Sequence, residues 1–443
     1  MHVIIIGAGT GGMALAHGLK NAGVSVAVYE RDRTRGDGLH GYRVGIDPDG
    51  ARALQECLPA RLFDTFIATC ARAPRHFNAY TEKLTELVSL DLPQNTDPAN
   101  SEHSVSRMTL RQVLLSGMDD VVHYGRTFER YTTDGSSVTA HFTDGTTATG
   151  DVLVGADGAN SPVRRQYLPH VTVRDSGVVA IAAKLPSTPQ TRALLPKEAL
   201  TGVSMLLAPR GSFMILHSME FPWDAEGTVK DGIGGSDREL IENWPGLLYD
   251  NTRDYLNWGL SASADKFPAD VTRMRGKDLV RLALGMTEKW SPDLRELIGH
   301  SDPGSCFALR IRTTDPVEPW TPTRVTLLGD AIHTMTPGKG VGANTALRDA
   351  VLLKRALTGA GTDVVKAIGA YEAEMLPYGM RRVKESLAQY GLNGRDLVHK
   401  PVIGRVLLAV NRTFFRVVNR VPALKRKFLA AMSADRGMVA EDR

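Results

Sequence analysis

Cysteine is scarce in this chain of 443 residues, with Cys57, Cys70 and Cys306 its only three. None stands in CxxC spacing, which removes the case for a disulfide framework or a zinc site and leaves buried free thiols as the expectation; no metal is expected. Aromatic residues make up only 6% and are not interleaved with basic ones along a stripe, so the small net charge of +4 gives no reason to expect nucleic acid. No apolar run reaches the length that spans a bilayer. No basic, apolar and small-residue leader precedes MHVIIIGAG, and a cytoplasmic location is expected. Solenoid repeats and low-complexity tracts are also missing. What is present, 42% apolar and 23% charged residues, fits a globular protein of two or three domains.

The charge is unevenly spread. From Arg381 onward there are 14 Lys and Arg against 5 Asp and Glu, and 39 against 44 before it, so a tail of +9 follows a body of −5. Within the tail, Ile403, Leu407, Val410, Phe414, Val417 and Val421 recur at spacings of four and three, with Arg405, Arg412, Arg416 and Arg420 largely off that stripe. This predicts an amphipathic helix ended by Pro422, its apolar stripe docked on the protein body, with a membrane surface as the alternative partner.

The opening HVIIIG reads as a parallel strand covered on both faces, followed by a glycine turn, a helix (MALAHGLKNAG) and a second strand (VSVAVYERD). Gly7, Gly9 and Gly12 form GxGxxG at the first strand-to-helix turn, and Glu30 closes the second strand. In such a unit the first glycine permits the turn, the second lets the backbone approach a pyrophosphate, and the third lets helix and strand pack. The acidic residue accepts hydrogen bonds from ribose hydroxyls. Two further apolar strands end in polar turns, at Asp157-Gly158 in GADGANSPVR and at Gly329-Asp330 before TPGKGVGAN. Between them GVVAIAAKLP, VSMLLAPRGSFMILHSMEF and SCFALRIRTT read as an antiparallel sheet, accompanied by helix-like DLVRLALGMTEKW and ELIGH.

These three turns together resemble the class A, single-component FAD-dependent monooxygenases, whose fold is like that of para-hydroxybenzoate hydroxylase. Within that family the chain is similar to bacterial natural-product hydroxylases and tetracycline-modifying enzymes. The resemblance implies an α/β fold with a Rossmann-like FAD-binding domain, discontinuous in sequence (1–72, 103–176 and 302–357). A mixed α+β substrate domain built on an antiparallel sheet (73–102 and 177–301) and a C-terminal helical segment (358–443) complete it. It implies cofactor contacts at Gly7, Gly9, Gly12, Glu30 and Gly45, at Arg107 in RMTLRQVLL, and at Asp157 and Gly158. Asp330 matches the residue that takes the ribityl chain, and Pro337, Gly340, Gly342, Ala343 and Asn344 match the loop that passes under the flavin ring. Backbone N–H groups at a helix start there can stabilise negative charge on the ring's pyrimidine edge.

Around this set, Arg111 is a candidate surface partner, and Arg164 or Arg165 is available for a nicotinamide-cofactor phosphate. His333 is expected to be structural rather than a base. Arg43 in GYRVGIDPDG reads equally as a group near flavin or substrate, the one catalytic candidate, and as an exposed salt-bridge partner. The activity implied is NAD(P)H- and dioxygen-dependent hydroxylation of an aromatic or polyketide-like molecule through a flavin hydroperoxide. NADH and NADPH are not distinguished. A flavin-dependent reductase or dehydrogenase of the same fold, and a flavoprotein binding module at a membrane surface, remain the alternatives.

Overall fold

The computed structural model describes residues 1–37, 41–222, 253–359, 361, 363–389 and 400–437. Its first sheet has five parallel strands in the order β17 (Val325–Leu327), β11 (Val152–Gly155), β1 (His2–Ile6), β2 (Ser25–Tyr29) and β7 (Val122–His123). Val3, Ile4 and Ile5 are fully buried because β1 is flanked by strands on both edges and covered on both faces. The first helix, Thr10–Asn21, follows at once and packs through Gly12, where a Cβ would lie 2.4 Å from the Gly7 carbonyl oxygen.

The second large sheet has seven strands in the order β16 (Phe307–Thr314), β12 (Val173–Pro186), β15 (Tyr255–Ser263), β14 (Phe213–Met219), β13 (Gly202–Leu207), β4 (His76–Thr81) and β5 (Glu86–Asp91). All neighbours run antiparallel except β13 and β4. Alternation along β14 sends Met214 and Leu216 into a core with Trp258 and the helices Gly276–Met286 and Pro292–Gly299. Trp258 is fully buried and donates from Nε1 to Ser301 Oγ at 2.9 Å. Strand β16 pairs with β12 in this sheet although it lies within 302–357. Its residues read as a strand from sequence, but pairing partners 130 or so positions away are invisible to local pattern. Residues 223–252 of the expected substrate domain lie outside the described residues.

Two smaller sheets complete the strands: β10 (Thr147–Gly150), β9 (Val138–Phe142) and β8 (Phe128–Thr133) form one, and β3 (Arg43–Ile46) with β6 (His103–Ser106) the other. Long helices, Gly342–Gly359 and Val364–Gln389, follow β17. The C-terminal helices Pro401–Arg420 and Pro422–Asp435 pack near β5. All three cysteines are free and buried.

Beside β17, Glu372 is buried and accepts from Thr326 Oγ1 at 2.8 Å, while its second oxygen has no partner among the described residues. Burial pushes its carboxyl up to about 7, with Thr326 and then the Trp320 side chain opposing. A raised acid pKa means that the folded state holds its proton longer than the unfolded state. This group's contribution to stability therefore falls as pH rises from the ordinary carboxylate range through about 7. Glu372→Gln should accordingly stabilise the protein by on the order of 1–3 kcal/mol at about pH 8, with the gain shrinking toward about pH 5. Denaturant unfolding at the two pH values checks this.

Candidate functional site

At the C-terminal end of β1, Gly7 has φ +107° and donates its N–H to Tyr29 O at 2.9 Å, which locks the turn to the end of β2. A Cβ on Gly7 would stand 2.5 Å from Ala156 O, so only glycine fits. Gly9 differs: its Cβ would meet a single atom, Ala156 O, at 3.9 Å. That face of the turn is open. Gly9 is also the N-cap of the first helix and provides no side-chain cap, leaving the helix's leading amides without a side-chain acceptor. Glu30 is buried and accepts from Ala8 N at 2.7 Å and Asp32 N at 3.0 Å, which fixes its carboxylate beside the turn.

An open groove of 1420 Å³ runs along these residues. Of the expected site residues, Gly7, Gly9, Glu30, Arg107, Asp157 and Gly158 line it. The opposite wall comes from the second large sheet and its loops, including Lys184, Asp302, Ser305 and Phe307. No sequence signal marked that wall, because its residues are ordinary strand and turn types gathered only by the fold.

Asp157 follows β11. Val163 N donates to its Oδ2 at 3.3 Å, and its Oδ1 is buried with no partner among the described residues. Burial raises its pKa. Gly158 (φ +79°) has nothing within 4 Å of where a Cβ would stand. Of the two arginines beyond it, Arg164 is buried and donates to Ala331 O at 2.9 Å and to Ala159 O at 3.0 Å, so its guanidinium holds the turn together. Arg165 stays on the groove wall, donating to Asn160 O at 2.6 Å.

Asp330 opens the short helix Asp330–His333 after Gly329, whose φ is +62°. Its surface is accessible, yet the surrounding protein raises the carboxyl's pKa, opposed by the charges of His333 and Arg107. Asp330 is not part of the groove wall. His333 itself is fully buried: its Nε2 lies 2.6 Å from Asp349 Oδ2, which also accepts from Gly329 N at 2.8 Å. Tyr378 Oη donates to the other Asp349 oxygen. These contacts give His333 a structural role.

In the Pro337–Asn344 loop, Gly340 is left-handed (φ +67°, ψ 21°) and a Cβ there would meet nothing within 4 Å. Gly342 begins the helix Gly342–Gly359; its Cβ would touch only Met335 Cγ, at 3.7 Å. The amides of Gly342, Ala343 and Asn344 lie in that helix's first turn, where no intrahelical acceptor exists. The Asn344 side chain faces inward, donating to Gly45 O at 3.0 Å and accepting from Asp47 N at 3.1 Å. Gly50 carries no side chain where one would strike Asn344 Oδ1 at 2.1 Å, a constraint that the sequence alone does not reveal. Gly45 leaves room for the Arg43 guanidinium, whose Nη1 would lie 3.1 Å from a Cβ there. Neither Gly45 nor the 337–344 loop lines the groove. The two helix starts nevertheless adjoin: a Cβ on Gly11 would lie 2.7 Å from Leu328 Cδ1 and 3.1 Å from Ala346 Cβ.

Arg43 is ion-paired but not exposed. It donates from Nε to Ser104 Oγ at 2.7 Å and pairs with Glu102 at 3.3 Å. Arg436 reaches the same carboxylate at 2.7 Å. Beside them, lining a small cavity with Arg43, is His217, half-buried, with its buried Nδ1 lacking a described partner. Desolvation of the ring, then the charges of Arg43 and Arg436, lower its pKa well below the usual histidine range. Arg111 pairs with Asp32 at 2.8 Å.

A family profile described as FAD binding domain matches residues 1–252 and 295–386. Among curated relatives, the dual O-methyltransferase/FAD-dependent monooxygenase CTB3 of Cercospora beticola is 32% identical over 403 residues, 87% of this chain and 45% of the relative. The FAD-dependent monooxygenase dbaB of Emericella nidulans is 30% identical over 408 residues, covering 86% of this chain and 93% of the relative. The chain thus spans less than half the length of the first relatives it matches and nearly all of dbaB. Among solved structures, a putative FAD-containing monooxygenase from Photorhabdus luminescens superposes with a TM-score of 0.75 at 33% identity, over 88% of this chain and 97% of that one.

Proposed function

The chain belongs to the FAD binding domain family, and from that premise we propose that it is an FAD- and NAD(P)H-dependent monooxygenase that hydroxylates an aromatic or polyketide-like small molecule with dioxygen. The observation that carries this reading is the pair of adjoining helix starts with side-chain-free glycines facing open space, the first of them, after β1, opening onto a large groove. When bound, FAD supplies the redox chemistry, passing electrons from a reduced nicotinamide to dioxygen.

The residues present fit such a group. Gly9 leaves a path to the first helix's amides for a pyrophosphate, and Glu30, held by two backbone donors, keeps lone pairs for ribose hydroxyls. The unpartnered Oδ1 of Asp157 is an acceptor awaiting a donor, and Asp330 offers its carboxylate to a hydroxyl of the ribityl chain. Gly340 and Gly342 leave room for a flat ring, and the amides of 342–344 present fixed partial positive charge to its pyrimidine edge. Asn344 positions that loop by tying it to Gly45 and Asp47. Arg165 is the arginine suited to a nicotinamide-cofactor phosphate, since Arg164 is engaged with backbone carbonyls. Three buried free thiols suit a reducing compartment, and we place the reaction in the cytoplasm.

Purified protein is expected to be yellow and to contain FAD. In a screen of phenolic and polycyclic compounds, those that stimulate NAD(P)H oxidation should yield products carrying oxygen from labelled dioxygen. Product free of label would mark a reductase or dehydrogenase instead, and protein unable to hold FAD would end the proposal.

A further inference from the structure

The helix Pro401–Arg420 does form, but the stripe expected to dock does not. One side of the helix packs on the body: Val418 is buried with Ala79, Leu87 and Leu90, Phe415 is half-buried beside Phe77 and Leu207, and Asn419 donates to Glu86 at 3.0 Å. Arg412 reaches in to pair with Glu82 and to donate to Leu207 O. The other side faces outward. Val402 is 72% exposed, Val406 and Val410 58%, and Phe414 49%, with Ile403, Val417, Val421 and Leu424 all above or at 40%. At 100° per residue, positions 402, 403, 406, 410, 414 and 417 fall within an arc of roughly 120°. The apolar periodicity was legible, but which arc is buried depends on the strands beneath it, and those select the side carrying Gly404 and Val418.

Along one edge of this open arc stand Arg405, Arg416 and Arg420, exposed, and Lys425, Arg426 and Lys427 continue the positive charge into the next helix. None of the six has an ion-pair partner among the described residues. The lone acid between 401 and 436, Asp435, is engaged by Arg382 and Lys339. No described helix is long and apolar enough to cross a membrane.

From this juxtaposition of an outward apolar arc and an unpaired basic edge, we propose that the C-terminal helix lies flat on an anionic lipid bilayer. The valines and Phe414 enter the acyl boundary, and the arginines and lysines meet lipid phosphates and carboxylates. A second copy of the chain is a poorer occupant. A two-fold contact through this arc would bring the basic edges close to one another with no carboxylate on the arc to offset them. The proposal rests on the exposed face alone and is independent of the monooxygenase reading.

The test is vesicle flotation of the full-length protein with phosphatidylcholine vesicles that either contain or lack phosphatidylserine. The protein should float with the serine-containing vesicles, less so at high salt, and remain below with phosphatidylcholine alone. Val406→Glu with Val410→Glu should lower partitioning at least about tenfold. Arg416→Glu and Arg420→Glu should each lower it about fivefold or more. Because all four side chains are exposed, thermal unfolding and FAD content should not change. Failure of the native protein to float with anionic vesicles, or undiminished floating of the variants, overturns the proposal. So does light scattering that shows a dimer which Val410→Glu dissociates while vesicles are ignored; the arc would then be an interface between copies.

Discussion

Gly9→Val yields a folded but colourless protein. A Cβ at this position meets only Ala156 O, at 3.9 Å, and the backbone (φ −79°, ψ 179°) is one that β-branched residues adopt readily, so the chain itself has no steric objection. Valine is a poor N-cap, and stability should fall by about 1 kcal/mol. What the branched side chain does occupy is the path by which a pyrophosphate reaches the helix amides, and FAD affinity should fall by at least ~100-fold. The check is a flavin-to-protein absorbance ratio beside a circular dichroism spectrum. Native affinity for FAD would remove the turn from the cofactor's path. Gly7→Ala is the instructive contrast, because its Cβ would lie 2.5 Å from Ala156 O at φ +107°; loss of FAD there would accompany loss of fold.

The largest effect on stability is expected from Asp349→Ala. Asp349 is fully buried and accepts from His333 Nε2, Gly329 N and Tyr378 Oη. Burial, the largest influence, would lower the pKa of His333, but the charge and hydrogen bond of Asp349, helped by the Asp330 carboxylate, together raise it. The alanine variant leaves three buried donors without an acceptor, one of them a histidine whose charged form the carboxylate favours, and should cost about 3–5 kcal/mol. Asp349→Asn, which keeps one acceptor, should fall between. The sign of the pH dependence follows from the raised histidine pKa. The stabilisation is complete below the ordinary histidine value and fades as pH rises through the higher folded value, so the gap between native and Asp349→Ala should narrow in alkali. Denaturant melts across that range check it, and a gap that widens with pH would show that His333 is not the group responsible. Because Gly329 N hangs on the same carboxylate, the variant also frees the strand end that presents Asp330.

The nucleotide-binding half was legible because its signals are local: β-branched runs bounded by glycine, a 3.6-residue period after them, and an acid at the next strand's end. Gly7, Gly12 and Glu30 stand where that grammar puts them, each for a steric or hydrogen-bonding reason visible in the fold. Other features depend on partners far away in sequence. Arg164 looks like a phosphate ligand until Ala331 and Ala159 claim its guanidinium, and Asn344 belongs to the glycine loop by sequence but to β3 by hydrogen bonding. Arg43 could be weighed only as near the site or exposed, whereas the Glu102 carboxylate that buries it is also shared with Arg436, near the far end of the chain. The helix Pro401–Arg420 shows the limit most clearly, since periodicity predicts that a helix has an apolar side and says nothing about which neighbour will claim it.

The interleaving of the first sheet sets a timetable for biosynthesis. Val3 pairs with Val152 on one side and Val26 on the other, and Leu153 in turn needs Val325. At ordinary rates of translation the opening strand therefore emerges tens of seconds before its sheet can be finished. Throughout that interval an apolar ribbon of Val, Ile, Ile and Ile waits with an unsatisfied edge, a natural client for a holdase on the ribosome.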